Sequence, residues 1–124
     1  MSSFEQLNVW QISIDLATDL YKDLNSFKDY GLKDRILRAA LSVSSNIAEG
    51  HDRNSYKEFI RFLNFAVSSN AELRSQLYFL KNTEILPKEK ADEYIELTKK
   101  ISAMIIKLIA SIKSRNENLT TENR

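Results

Sequence analysis

Apolar residues recur at alternating spacings of three and four in four separate segments of the chain, which is the pattern of one stripe along an α-helix. The third segment is the most regular, because its stripe continues from Tyr56 to Leu80 without a break. The pattern predicts four helices and a polar C-terminal tail. The predicted helices cover residues of about 5–25, 32–49, 55–83 and 88–115, and the tail covers about 116–124.

The residues between the stripes indicate where each helix begins and ends. Gly50 suits the left-handed position just after helix two, and Ser55 with Glu58 forms a capping box at the start of helix three. Pro87 suits the first turn of helix four, where its missing N–H costs little. The connections are short, so we predict one all-α domain, an antiparallel up-down-up-down four-helix bundle over residues of about 1–115. The same periodicity would permit two helical hairpins that complete their core with another subunit.

Helices one and two carry more apolar surface than a single stripe requires. Each has a second apolar face, which lies roughly 110° from the stripe on helix one and roughly 140° from it on helix two. Exposed apolar patches on a soluble protein usually mark a partner surface, so we predict self-association. The alternative is that these residues belong to the periphery of one core. The predicted interface consists of Val9, Ile12, Leu16, Leu20, Leu37 and Leu41.

Composition favours helices and gives no sign of a membrane segment or a disulfide. The chain has 124 residues, of which 43% are hydrophobic, with Gly 2, Pro 1 and Cys 0. The lack of cysteine excludes thiolate chemistry and suits a reducing compartment, so we expect a cytoplasmic location. No apolar run approaches the roughly 18 residues that cross a bilayer. The net charge of +1 comes from 18 basic and 17 acidic residues, so any nucleic-acid site must be a local patch.

A basic row marks the start of helix three, where Arg53, Lys57 and Arg61 recur every four residues. Positive charge is mildly unfavourable at a helix N-terminus, so something negative should compensate it. One candidate is the phosphate backbone of a nucleic acid, which these three side chains would contact. A solvated surface without a ligand is a second interpretation. The third is an acidic row on helix one of a neighbouring subunit, which consists of Asp15, Asp19 and Asp23.

A polar row on helix two flanks the predicted core. We interpret it as partly buried and structural, because such groups often fix the register of packed helices, with phosphate binding as the alternative. Counting antiparallel pairs outward from a turn at Asp52 places Arg35 near Ser69 and Glu72 of helix three, where an ion pair could form. The row consists of Arg35, Arg38, Ser42, Ser45, Asn46 and Glu49, with Glu72 as its partner.

Catalytic and metal-binding arrangements are absent from the sequence. His51 is the only histidine, so a His-rich metal site is excluded, and a Ser-His-Asp triad would have to use a residue in a turn. The two glycines are far apart and open no phosphate-binding loop. We therefore predict no catalytic residue, no metal and no cofactor, with an unrecognised hydrolase as the remaining alternative.

The segment from residue 31 to residue 50 carries the most specific motif. It reads GLKDRILRAALSVSSNIAEG and is followed by Arg53, Phe59, Phe62 and Leu63. This run resembles the signature of a bacterial family of four-helix bundle proteins encoded in intervening sequences of 23S ribosomal RNA genes. The resemblance continues through AVSSNAEL at residues 66–73 and covers most of the chain up to about Leu80.

The resemblance implies properties that the residues alone do not. The family implies a homopentameric ring of bundles, and a related accessory protein of diversity-generating retroelements implies contacts with nucleic acid and reverse transcriptase through a basic surface. We therefore predict a non-enzymatic, oligomeric bundle that acts as an RNA-associated scaffold. The alternative is a purely structural or protein-binding homo-oligomer with no nucleic-acid role.

Overall fold

The structure, a computed structural model, describes residues 3–122, and it describes side chains for residues 3–117. A 3₁₀ turn at Phe4–Gln6 precedes four α-helices, and no residue within 3–122 belongs to a β-strand. The all-α prediction is therefore confirmed. The helices are α1 (Asn8–Asp23), α2 (Tyr30–Asp52), α3 (Tyr56–Asn82) and α4 (Lys88–Glu122).

The observed helix boundaries lie close to the predicted ones, except at the end of α4. This helix continues to Glu122, past the predicted end near residue 115, while residues 123 and 124 of the predicted tail lie outside the described residues. The predicted cap of α3 forms only in part. The Ser55 hydroxyl accepts a hydrogen bond from the backbone N–H of Glu58 at 3.3 Å, but the Glu58 carboxylate bonds Arg61 and does not return to the cap.

Each helix packs against its neighbours in the chain. α2 lies between α1 and α3, and α4 packs along α3 and contacts α1 less extensively. Within the described part of the chain, the backbones of α1 and α3, and those of α2 and α4, stay more than 8 Å apart between Cα atoms, so these pairs lie diagonally across the bundle. The predicted up-down-up-down bundle is therefore confirmed. One chain encloses its own core, whose most buried members include Leu20, Ile47, Leu63, Leu77 and Ile105.

The buried face of α1 differs from the predicted stripe. The stripe predicted for helix one consists of Leu7, Trp10, Ile14, Ala17, Tyr21 and Leu24. Tyr21 is 56% exposed, whereas Val9, Leu16 and Leu20, outside the stripe, are core residues. The prediction that these three face another subunit is wrong, because the face of α1 that packs on α2 and α4 contains them together with Ala17 and Leu24 of the stripe. Of the other predicted interface residues, Ile12 and Leu37 are partly buried against the core, and only Leu41 is exposed, at 49%.

Gly50 lies inside α2, which extends two residues further to Asp52, and no glycine in the described residues has a positive φ. The prediction of a left-handed glycine after helix two is therefore wrong, and Asn54 in the following turn has that conformation, with a φ of 56°. Gly50 serves a different purpose. A Cβ at this position would lie 2.6 Å from the Cβ of Phe62, so the glycine permits the close approach of α2 and α3.

The register between α2 and α3 also differs from the predicted one. Ser42 of α2 lies opposite Ser69 of α3, with their hydroxyl oxygens 2.8 Å apart, whereas the prediction placed Arg35 there. The prediction is wrong by about two helical turns, because antiparallel pairs centre on the turn near Ser55 and not on Asp52. Arg35 is exposed and makes no ion pair with Glu72 or any other residue that the structure describes.

The predicted polar row on α2 separates into a buried part and a surface part. Asn46 donates from Nδ2 to the carbonyl of Ser42 at 2.8 Å and to its hydroxyl at 3.0 Å, so these two residues continue the contact with Ser69. Arg38 forms an exposed ion pair with Asp34 at 2.8 Å. Of the row, only Ser42 and Asn46 therefore take part in the inter-helix contact that was predicted for all of it.

A second polar network joins α3 to α4 inside the core. Asn70 is fully buried and donates from Nδ2 to the carbonyl of Thr98 at 2.6 Å and to the Ser102 hydroxyl at 2.9 Å. Arg74 adds a bond from Nε to the Thr98 hydroxyl at 2.9 Å. Buried polar groups need defined partners, so this network favours one register of the two helices.

Candidate nucleic-acid interface

The predicted phosphate site lies at the end of the bundle where α2 turns into α3. Arg53 follows the last residue of α2, and Lys57 and Arg61 lie in the first two turns of α3. The turn between α2 and α3 is short because Asn54 adopts a left-handed conformation and Ser55 caps α3 directly afterwards. The end of α2, the turn and the start of α3 therefore place the three cations at the same end of the molecule.

Two phenylalanine rings hold the arginines of this site. The guanidinium carbon of Arg53 lies 4.8 Å from the centroid of the buried Phe62 ring, and that of Arg61 lies 5.4 Å from the same centroid. Arg61 also lies 5.1 Å from the centroid of Phe65, and the two rings meet edge to face with centroids 5.5 Å apart. These four residues form what we call the cation–aromatic cluster.

The close approach of α2 and α3 at Gly50 creates this cluster. Phe62 is on α3, yet it is the ring that Gly50 accommodates, so it lies directly beside the end of α2 that carries Arg53. Arg53 and Arg61 come from different helices and converge on one ring because the helices are so near. The prediction of the site omits Phe62 and Phe65. The sequence shows that Phe62 directly follows Arg61 and that Phe65 lies one helical turn after it, but it does not show the approach of Arg53.

Two carboxylates partly neutralise the site. Arg53 donates from Nη2 to Glu49 at 3.0 Å, and Arg61 donates from Nη1 to Glu58 at 3.2 Å. All four side chains are substantially exposed, and exposed ion pairs of this kind stabilise a protein by only about 0–1 kcal/mol. Each guanidinium has five N–H donors, so most of its donors stay available. Lys57 is exposed and makes no ion pair within the described residues.

The acidic row on α1 is only partly available to a partner. The buried Tyr94 donates its hydroxyl hydrogen to Asp23, and the ammonium of Lys90 lies 3.8 Å from the same carboxylate. Burial, this hydrogen bond and the nearby negative charge raise the pKa of Tyr94. Asp23 thus links α1 to α4 in its own chain, whereas Asp15 and Asp19 are exposed.

An apolar groove on the other side of α2 contains what is left of the predicted self-association surface. It lies between α1 and α2, and its most exposed apolar residues are Tyr21 and Leu41. The remaining predicted interface residue at the groove, Leu37, is half-buried in its floor. The full lining is Ala17, Thr18, Tyr21, Asp34, Leu37, Arg38 and Leu41.

His51 lies in the last turn of α2 and not, as was predicted, in the following turn, and it lines a surface pocket with Asp52 and Ser55. Its Nδ1 lies 3.4 Å from a carboxylate oxygen of Asp52, and its ring packs edge to face on Phe59 with centroids 5.6 Å apart. Among the side chains that the structure describes, no three His, Asp or Glu residues are grouped to hold a metal ion. None of the helices, over the same part of the chain, is long and apolar enough to span a bilayer.

The fold and this end of the molecule define an all-α, up-down-up-down bundle that presents cations on aromatic rings. The chain belongs to the 23S rRNA-intervening sequence protein family, whose model matches residues 5–107, so the predicted family is confirmed. A similar solved structure is a protein of unknown function from the S23 ribosomal protein family of Bacteroides thetaiotaomicron. It shares 28% identity over 82% of this chain and 97% of that chain, with a TM-score of 0.75. Among curated proteins, none matches this sequence.

Proposed function

We propose that this protein is a non-enzymatic, oligomeric bundle that acts in the cytoplasm as an RNA-associated scaffold. Arg53, Lys57 and Arg61 would contact backbone phosphates. The observation that supports this role best is the convergence on Phe62 of Arg53, from the end of α2, and Arg61, from α3. Beside them lies Lys57, which makes no ion pair with any side chain that the structure describes. Guanidinium groups held on a ring keep their N–H donors directed outward, and phosphate is the anion that such groups bind in RNA.

The ion pairs with Glu49 and Glu58 are compatible with this proposal. The carboxylates of Glu49 and Glu58, together with that of Asp52 directly before Arg53, balance the three cations, so the site is close to neutral and we expect modest affinity. An incoming phosphate would bind the free donors or displace an exposed carboxylate, and that exchange costs little because exposed pairs are weak. Affinity should therefore depend on salt and on a small number of phosphates.

The test is a salt titration of RNA binding. With three phosphate contacts on a single strand, log Kd should change with log salt with a slope of about 2, which weakens binding about 20-fold between 50 and 200 mM. The triple variant Arg53→Ala, Lys57→Ala, Arg61→Ala should lose most of this binding and most of the slope. A matched control replaces three exposed lysines near the opposite end of the bundle, namely Lys22, Lys28 and Lys88, with Ala.

The control removes the same charge from a different place. If net charge alone drives binding, both triple variants will lose affinity equally, and the proposed site is wrong. If the wild type binds no RNA even at low salt, the nucleic-acid role is wrong as a whole.

The alternative function, a structural or protein-binding homo-oligomer, is supported by the groove between α1 and α2. Tyr21 and Leu41 are about half exposed there, and their burial against another copy would remove apolar surface from water. The family resemblance implies a pentamer. Self-association is compatible with RNA binding, since the groove and the cation–aromatic cluster lie on different sides of α2.

A further inference from the structure

We infer that the cation–aromatic cluster recognises unpaired nucleotides, with Phe65 as the ring on which a base stacks. This inference rests on the proposed nucleic-acid role and narrows it to single strands. Its basis is an aromatic side chain that is partly open to solvent, lies directly against a guanidinium, and belongs to the same helix face as the phosphate contacts.

Phe65 has the exposure and the support that a stacking platform needs. It is 43% exposed, although phenylalanine is an apolar residue that normally packs in the core. Its ring is held on one side by the edge-to-face contact with the buried Phe62 and by the Arg61 guanidinium. These contacts already restrict the Phe65 ring, so the ring loses little further conformational entropy when a base stacks on its open face.

The spacing between Arg61 and Phe65 suits a phosphate and a base of the same strand. Arg61 and Phe65 are separated by one helical turn, so a phosphate at the guanidinium and a base at the ring can belong to neighbouring positions of one strand. Lys57 lies one turn before Arg61 and continues the row along the backbone. Single-strand binding proteins combine cations that follow the phosphates with aromatic rings that stack the bases.

A duplex would not use Phe65 in this way. Paired bases are stacked inside the helix, and an A-form duplex offers side chains mainly its phosphates, 2′-hydroxyls and shallow minor groove. The ring would contribute nothing to duplex binding, whereas in a loop or single strand each base has a free face. The cluster should therefore prefer single strands with little dependence on sequence, because every base has such a face.

A second copy of the chain is the other conceivable occupant of Phe65. Burial of Phe65 against a copy would also desolvate Arg61 and Arg53, which lie against the two rings. Removing charged groups from water is costly unless they gain strong partners, and their present partners are exposed glutamates. Charge at the cluster thus favours a strand that brings its own phosphates.

The experiment compares Phe65 variants on single-stranded and duplex RNA. The probes are a fluorescently labelled oligoadenylate of about 12 nucleotides, a length typical of single-strand sites, and a blunt RNA duplex of the same length. Phe65→Ala should weaken single-strand binding about tenfold, which corresponds to about 1.4 kcal/mol, without changing the salt slope. Duplex binding should stay the same. Phe65→Leu keeps an apolar side chain without a π-face and should behave like Phe65→Ala.

A spectroscopic readout reports stacking directly. Trp10 is the one tryptophan, so the double variant Trp10→Phe, Phe65→Trp places a single indole at the site. Oligoadenylate should quench the fluorescence of this indole, and it should bind the double variant at least as tightly as the wild type. Three results would overturn the inference: equal single-strand affinity for Phe65→Ala and wild type, an equal loss on duplex RNA, or a change of oligomer size in the Phe65 variants.

The same measurements separate the two proposals. If the wild type binds RNA and the basic triple variant does not, while the Phe65 variants bind normally, phosphate contact stands and base stacking is wrong. If the wild type binds neither probe at low salt, both proposals are wrong.

Discussion

The contact between Gly50 and α3 allows the sharpest test of the packing argument. In Gly50→Ala, the new Cβ would lie 2.6 Å from the Cβ of Phe62 and 3.3 Å from the carbonyl oxygen of Phe59. Carbon atoms in good packing are about 3.5–4.0 Å apart, so the first contact is too short by about 1 Å. A Cβ is fixed to its backbone and cannot rotate away, so α2 and α3 would have to separate.

Two effects oppose each other in this variant. Alanine is more favourable than glycine inside a helix by about 1 kcal/mol, because glycine loses more backbone freedom on folding. Overpacking of a close-packed interface typically costs about 1–3 kcal/mol, and here it involves the buried Phe62 as well as main-chain atoms, so the upper part of that range applies. We therefore expect Gly50→Ala to be less stable than the wild type by about 1–2 kcal/mol.

Gly31→Ala is the matched control. This glycine is exposed in the first turn of α2, and a Cβ there would meet only the Asp29 carboxylate oxygen, at an ordinary 3.9 Å. The same substitution in the same helix should thus leave stability unchanged or raise it by up to about 1 kcal/mol. Urea unfolding followed by far-ultraviolet circular dichroism, at one protein concentration, measures both variants.

The test compares the free energy of unfolding of Gly50→Ala with that of Gly31→Ala. If Gly50→Ala proves as stable as Gly31→Ala, the helices have room to adjust at no cost, and the close approach is not what selects glycine at position 50. A lower midpoint with an unchanged urea slope supports the packing argument, since the amount of surface exposed on unfolding would then be the same.

Two further predictions follow from burial and exposure. Because the pKa of Tyr94 is raised, the unfolded chain releases this proton first as the pH rises past the ordinary tyrosine value of about 10. The stabilising contribution is thus complete below about pH 10 and declines above it by up to about 1.4 kcal/mol per pH unit. In urea unfolding, the advantage of the wild type over Tyr94→Phe should shrink above that pH, and a constant advantage would contradict the assignment. Separately, Leu41→Asp should lower the mass seen by light scattering if a second copy occupies the groove, with Ile106→Asp, also exposed, as the control. A wild type that stays monomeric at every concentration would refute self-association.

Periodicity alone predicts the parts of the fold that have one apolar face. On α3, the stripe from Leu63 to Leu80 is buried as predicted, because no other face of that helix offers a comparable apolar run. The stripe of α4 from Ala91 to Ile112 is also buried, except that Leu108 is only partly buried. A helix with one apolar stripe has only one way to bury it, so local spacing determines its orientation.

Periodicity cannot orient a helix with two apolar faces. On α1, the predicted stripe contains Tyr21 and the second face contains Leu16 and Leu20, and spacing alone gives no reason to bury the second. The choice depends on where α2 and α4 lie. The orientation of α1 therefore removes half of the predicted interface, since Val9, Leu16 and Leu20 belong to the core and not to a surface for a partner.

The candidate site also has one part that the sequence predicts and another that depends on how the helices pack. The row of Arg53, Lys57 and Arg61 is a property of one segment, and its partners Glu49 and Glu58 lie three or four residues away, so both could be read from the sequence. The convergence of Arg53 and Arg61 on Phe62 depends on how closely two helices pass. The register error that misplaced Arg35 has the same origin, since the end of α2 determines which residues face each other across the turn.

The packing of α2 on α3 connects the core of this protein to its candidate site. Gly50 allows Phe62 to be buried at the helix ends, and Phe62 in turn supports both guanidinium groups. An arginine free in solvent loses rotamer entropy when it binds a phosphate, at roughly 0.5–1.5 kcal/mol for each immobilised side chain. Arginines already held on a core ring lose part of that entropy on folding instead. Under the proposed RNA role, a weakly charged surface would then bind a strand through few contacts, because the two arginine side chains are already positioned for them.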